Sequence, residues 1–258
     1  SRGLGDVYKR QDLTYDYFHL GTGHAGLRKL LEGSNEDALS RQTLVIVGMG
    51  ALTGPGGSAA LADAMAFAEE TESKFLVLHT AASRVGAMDV GAVADGGVED
   101  ADVIFNLGAD EVDIPAGPTV IYQGSHGDRG AHRADIILPA AAWTEENGLF
   151  VNTEGRPQMA MRAGFPPGEA TENWAILRAL SAELDAPLPY DSQTQLRANL
   201  FEAEPQLKTI DAVPGNEWRA EKASGDAGEF GQPVTVHNQT NPILRAAPQM
   251  AELQAAAR

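Results

Sequence analysis

The chain is predicted to be an α/β protein built on a mostly parallel, doubly wound sheet. Two observations carry this. Short apolar runs rich in β-branched residues, Leu44–Val47, Phe75–Leu78, Val103–Leu107, Thr119–Tyr122 and Asp135–Leu138, read as strands buried on both faces. Helical or loop segments alternate with them, the pattern of parallel crossovers rather than of hairpins.

Residues 1–11, SRGLGDVYKRQ, have no initiator Met and no readable period. They read as a non-native leader, similar to translated sequencing-adapter sequence, and are set aside. Residues 12–200 are assigned to the α/β domain. After Leu44–Val47, Gly48-Met-Gly50 and Gly54-Pro-Gly-Gly57 predict a flexible loop. Ser58–Glu70 then predicts a helix with Leu61, Met65 and Ala68 on one face. The gap from Leu107 to Thr119 is short for a helical crossover. It should hold at most one helical turn, with another in Asp128–Arg133. Thr171 is expected to cap a helix running to Leu184, with Trp174, Leu177, Leu180 and Leu184 on one face and Pro187 and Pro189 closing it.

Residues 201–258 read as an extended tail with a short helix. From Phe201 to Pro233 the chain is acidic, contains Gly and Pro, and loses apolar periodicity. Phe201, Ile210, Trp218 and Phe230, then Val234, Val236, Ile243 and Leu244, are apolar anchors along it. The tail is expected to dock on partner proteins and to be loose in the isolated chain. The rival expectation is that it folds back on its own domain.

Composition narrows the function classes. The 258 residues carry a formal net charge of −17, which argues against nucleic acid or anionic lipid as partner. With no cysteine, the chain can form no disulfide and hold no cysteine-ligated iron–sulfur cluster. No apolar run approaches the roughly 20 residues of a membrane helix, so no direct membrane insertion is expected. No signal peptide is visible.

The most informative stretch is Tyr122–Arg156, YQGSHGDRGAHRADIILPAAAWTEENGLFVNTEGR. Its candidates each have two readings. His126, Asp128 and His132 offer metal-ligand chemistry on a loop. Arg129 and Arg133 lie among them, however, and adjacent cations oppose a bound cation. The favoured reading is a structural polar knot in which these arginines pair with Asp128, Asp135 or distant carboxylates. Ser125 beside His126 is no triad signal, since sequence neighbours seldom face each other. Glu145, Glu146 and Glu154 offer carboxylates for acid–base work. The plainer reading is that Glu154 and Arg156 fix a loop by hydrogen bonds to backbone groups, with Gly148 and Gly155 supplying unusual φ. Arg129 and Arg156 are accordingly expected to be stability residues. Gly48-Met-Gly50 has the context of a dinucleotide fingerprint, but Thr53 stands where its third glycine belongs. His79-Thr80 stands where a ribose-binding acid is wanted.

The pairing of Ala134-Asp-Ile-Ile-Leu-Pro139 with Thr144-Glu-Glu-Asn-Gly148 and Asn152-Thr-Glu-Gly-Arg156 resembles the molybdopterin-oxidoreductase superfamily. The variant GSHGDRGAHRAD is similar to one branch, the large iron–sulfur subunit of proton-pumping NADH:quinone oxidoreductase, respiratory complex I. The resemblance implies the α/β fold of that superfamily, kept without a pterin. It implies a structural portion of an oxidoreductase subunit, with iron–sulfur clusters in an N-terminal part missing here and none in this fragment. It implies no catalytic, cofactor-binding or metal residue in this chain. Partners would be other subunits of the peripheral arm, on the cytoplasmic side of a bacterial inner membrane or the mitochondrial matrix side. Two alternatives stay open: a fragment of a true molybdopterin-dependent enzyme, such as a formate dehydrogenase, and an independent α/β nucleotide-binding enzyme.

Overall fold

Strands form where the β-branched runs place them, but they divide between separate sheets. In a computed structural model, residues 21–32, 44–94, 97–98, 100–215, 218–231, 236 and 239–256 are described. The leader assigned to residues 1–11 lies outside them, as does Val234. The described residues group into two compact units: those up to Leu78 with those of 218–233, and those of 79–217 with those of 234–258.

In the first unit, β1 (Leu44–Gly48) pairs in parallel with β2 (Lys74–Leu78), Val45 opposite Phe75 and Val47 opposite Val77. The crossover is a short 3-10 turn, Met49–Ala51, followed by α2 (Gly57–Glu70), against which α1 (His24–Leu31) packs. The helix lies where it is expected, but its buried face is different. Ala59, Ala60, Ala62, Ala64, Phe67 and Ala68 are buried, while Leu61 and Met65 are only partly covered. Small side chains let neighbouring backbone approach closely, so alanine rather than leucine marks the inner face.

In the second unit, β3 (Val103–Leu107), β4 (Thr119–Gly124) and β5 (Ile136–Pro139) form a parallel sheet in the order β3-β4-β5. Central β4 is the most buried: Val120 is 0 % exposed, and Tyr122 and Gln123 are each 1 % exposed. The link from β3 to β4 has no helix, and the link from β4 to β5 holds only the short α4 (Arg129–Arg133). Both follow from the spacing. Short α3 (Arg84–Asp89) precedes this sheet. An antiparallel hairpin, β6 (Gly148–Val151) with β7 (Pro157–Ala160), follows it; the sequence patterns anticipate neither.

Helix α5 begins at Asn173 and ends at Glu183, and its cap is not Thr171. Glu146 supplies the cap from 27 positions away, accepting from Asn173 N at 2.9 Å. Thr171 instead lies beside Ala140, its carbonyl accepting from Ala141 N at 2.9 Å. Leu184 is 67 % exposed, outside the buried face. Helix α6 (Gln193–Ala203), capped by Ser192, runs through position 200.

Described parts of the segment after Phe201 fold back on the rest of the chain, as the rival expectation has it. Leu207 is buried. Trp218 lies against Phe75, ring centroids 5.5 Å apart. Gly23 bridges Glu229, and His24 N donates to Gly228 O at 2.8 Å. The fully buried His24 accepts from Ala227 N at Nδ1 (3.0 Å), which leaves Nε2 to donate to Asp63 Oδ2 at 2.7 Å. Near the end, α7 (Pro242–Ala246) and α8 (Pro248–Ala256) stand where one short helix is expected.

Candidate functional site

Among the described residues, three carboxylates gather around Arg245 of α7. Its guanidinium bonds to Asp128, sits 2.9 Å from Glu111 Oε1 and lies 3.7 Å from Asp110 Oδ2. Asp110 is 1 % exposed and accepts from Gly130 N at 3.1 Å and from the Tyr122 hydroxyl at 3.4 Å. Burial pushes the Asp110 carboxyl above the usual carboxylate range, partly offset by the Gly130 and Tyr122 hydrogen bonds. Asp128 is pushed up by burial, but the Arg245 hydrogen bond, the Arg129 N–H and the nearby charges outweigh it and hold the group below its ordinary value. Burial, then the Asp110 charge, pushes the Tyr122 phenol well up. Gly130 belongs where it is because a Cβ there would lie 2.6 Å from Tyr122 Cε2.

A second polar cluster sits at the ends of β4 and β5. Gln123 Nε2 donates to Asn173 Oδ1 at 2.8 Å, and Asn173 Nδ2 donates to Glu146 Oε1 at 2.7 Å. Gln123 Oε1 is buried without a hydrogen-bond partner. These residues line a cavity of about 330 Å³, walled also by Trp143, Leu177 and Pro242.

The Asn152–Arg156 motif closes on itself. Asn152 Oδ1 accepts from Glu154 N at 2.9 Å and Arg156 N at 3.0 Å, and Asn152 N donates to Arg156 O at 3.1 Å. Gly155 takes φ of +80° at the turn between β6 and β7. Arg156 Nη1 donates to Asp211 O at 2.5 Å and Nη2 to Glu154 Oε2 at 3.4 Å. Glu145 accepts from Ala142 N at 3.0 Å, and Asn147 Oδ1 accepts from Arg162 N at 3.0 Å. The motif side chains thus fix backbone.

The remaining candidates disperse. Arg129 reaches only the exposed Asp113, its own side chain being 61 % exposed. Arg133 donates to Pro115 O at 2.7 Å and Pro118 O at 3.1 Å and lies 3.7 Å from Asp135, whose Oδ2 accepts from Val120 N at 2.8 Å. Both arginines thus pair within the expected set, Arg133 with Asp135 and Arg129 with the distant Asp113, while the guanidinium partner of Asp128 is Arg245, 117 positions away. His126 does face its neighbour, Nδ1 lying 2.9 Å from Ser125 Oγ, contrary to the expectation. His132 lies in α4. Among the described residues, no group of three or more His, Cys, Asp or Glu is placed to hold a metal ion. No described helix is long and apolar enough to cross a membrane. Sequence reasoning misses Asp110, Gln123, Asn173 and Arg245. A buried-strand residue with a carboxamide, Gln123, is the one visible signal among them.

The molybdopterin oxidoreductase family model matches residues 4–183. That match begins inside the segment set aside as a leader. The chain is 42% identical over 231 residues to the mitochondrial NADH-ubiquinone oxidoreductase 78 kDa subunit of Neurospora crassa, covering 81% of this chain and 30% of that protein. It is 41% identical over 215 residues to the same subunit of Candida albicans, covering 78% of this chain and 30% of that protein. It is 35% identical over 223 residues to the mitochondrial NADH dehydrogenase [ubiquinone] iron-sulfur protein 1 of Solanum tuberosum, covering 81% and 30%. The chain therefore spans about 30% of the length of these relatives. Its strand pattern, its A-D-x-x-L-P and N-T-E-G-R motifs and the family match agree: the chain belongs to the molybdopterin oxidoreductase family.

Proposed function

We propose that the chain is a structural portion of the large iron–sulfur subunit of an NADH:quinone oxidoreductase. The observation that carries this is the 42% identity over 231 residues to a subunit of that enzyme. In this reading the whole complex passes electrons from NADH to quinone, and this portion braces its peripheral arm beside other subunits. It works on the cytoplasmic side of a bacterial inner membrane or the matrix side of a mitochondrial one, and iron–sulfur clusters belong to other parts of the subunit. The geometry supports a bracing role, because the motif residues bond to backbone groups and to each other.

A pterin does not fit the donor set of the cavity beyond β4 and β5. Ligands of open α/β sheets sit beyond the carboxyl ends of the strands. Among the described residues, the lining of the cavity there has Glu146 and no cation. The neighbouring Arg245 is ion-paired with Asp128 and Glu111, while its buried Nη2 has no hydrogen-bond partner among the described residues. An anionic, phosphate-bearing pterin would meet the Glu146 carboxylate there and a guanidinium already ion-paired with carboxylates. Elemental and pterin analysis of the purified chain tests the reading. It predicts no stoichiometric iron, molybdenum or flavin and no NADH oxidation. Stoichiometric molybdenum with extractable pterin would favour the molybdopterin-enzyme alternative instead.

A further inference from the structure

The cavity beyond β4 and β5 has a carboxylate in its wall and an apolar lip. Glu146, Gln123 and Asn173 stand in its lining with Trp143 and Leu107. Both Glu146 oxygens accept from Asn173, Oε2 from the backbone N–H at 2.9 Å and Oε1 from Nδ2 at 2.7 Å. Those donors are neutral, and among the described residues no Lys, Arg or His lies within ion-pair distance of Glu146. The N-terminus of α5, which Glu146 caps, offsets only about half an elementary charge through its dipole, so the site stays net negative. Gln123 is buried in the same wall, and its Oε1 accepts from no donor among the described residues. A bare buried acceptor beside an uncompensated carboxylate suits a donor that carries positive charge.

The lip is a surface of the kind that a protein covers. Trp143 and Leu107 are each more than half exposed. Ala163 N donates to Thr144 O at 2.8 Å, which holds residues 161–165 beside Trp143 and Thr144. Met161 and Phe165 of that segment are about three-quarters exposed. Large apolar side chains gathered in the open mark contact surfaces. The indole face also attracts a cation. Arg162, the cation of that segment, is already paired with Glu172 at 3.2 Å.

We infer, on the reading of the chain as one portion of a multi-subunit complex, that this cavity and its lip dock a protein partner, which inserts a lysine side chain toward Glu146 and lays apolar residues on Trp143 and Leu107. Lysine suits the site better than arginine. Asn173 already approaches both Glu146 oxygens, so the paired oxygens that a guanidinium fork prefers are taken, whereas a compact ammonium needs only one. Its three donors serve both Glu146 and the Gln123 carbonyl. Its aliphatic stem packs along the apolar wall. Charge complementarity agrees, since a chain of net charge −17 draws basic partners.

Carbodiimide coupling tests the contact, because it joins a carboxylate to a touching lysine amine as an amide, with loss of water. The full-length subunit is purified natively with the proteins bound to it, treated with carbodiimide and glycine ethyl ester, and mapped by mass spectrometry. Glu146 should be joined to a lysine of another protein and little tagged by the ester. In the full chain alone Glu146 should be tagged. Glu146→Gln should retain that partner several-fold less well, and so should Trp143→Ala, which leaves the Asn173 bonds in place. Far-ultraviolet circular dichroism checks that each variant is folded. Free tagging of Glu146 in the native assembly, protection without a lysine crosslink, coupling to a lysine of the same chain, an untagged Glu146 in the chain alone, or full retention of the partner by both variants would overturn the docking site. The expected crosslink in an assembly without NADH:quinone activity would count against the proposed function and leave this contact standing.

Discussion

The Arg245 cluster and the Asn152–Arg156 turn are both built from charged and amide side chains, yet they are assembled in opposite ways. The turn is local: Asn152 satisfies backbone donors two and four positions away. The cluster is long-range: Arg245 closes on Asp128 across 117 positions, with Glu111 and the 1 %-exposed Asp110 beside it. A local motif can be read from spacing alone and stabilises through hydrogen bonds to backbone. A long-range cluster places charge out of water, so removing one member leaves its partners unpaired.

Breaking the cluster should therefore cost most. Arg245→Ala strands the buried Asp110 and the partly buried Asp128. It should lower stability by about 3 kcal/mol, the scale of a buried pair that loses one partner. Urea denaturation measures it, and the Arg245→Ala/Asp128→Ala double variant should cost less than the sum of the two single changes. Breaking the turn should cost less. Asn152→Ala removes acceptors from two backbone donors and should cost about 2 kcal/mol, and Arg156→Ala about 1 kcal/mol. Equal losses for Arg245→Ala and Arg156→Ala would erase the distinction.

Acidification sharpens the contrast inside the cluster, because its two aspartates should respond with opposite sign. The native pKa of Asp128 is lowered. Its contribution is full above the unfolded carboxylate range, about pH 4, and is lost as the pH falls through its native value. The native pKa of Asp110 is raised. Its ionised form is a burden that protonation relieves as the pH falls through that native value. On acidification the wild type should thus gain stability relative to Asp110→Asn and lose it relative to Asp128→Asn. Denaturant curves across the acidic range check both signs. The smallest effect belongs to Arg129→Ala, below about 0.5 kcal/mol, since both members of its ion pair are exposed.

The same division explains which features are legible in the sequence. The strand segments, the scarcity of helix between β3 and β5 and the glycine-closed turn at Asn152 follow from local patterns of β-branching, spacing and turn chemistry. The hairpin around that turn escapes such reading because Leu149-Phe-Val151 and Gln158-Met-Ala160 are too short to show alternation. Arg129 looks like a brace because it adjoins Asp128 and two glycines; position in sequence says nothing about which guanidinium turns inward. Arg245 is inconspicuous because its segment looks like a tail. The fold-back of the tail is hard to read because Trp218 and Arg245 find partners set by tertiary contacts rather than by any period of their own. The Gln123–Asn173–Glu146 chain is hidden for the same reason, as its members lie up to 50 positions apart.

In the proposed reading this portion braces an oxidoreductase subunit without taking part in its chemistry. The most direct measurement places Arg245→Ala in the full-length subunit and follows two quantities in membranes: the amount of assembled complex and the NADH:quinone turnover per assembled complex. The account predicts less assembled complex with turnover per complex unchanged. A normal amount of complex with turnover per complex several-fold lower would contradict it.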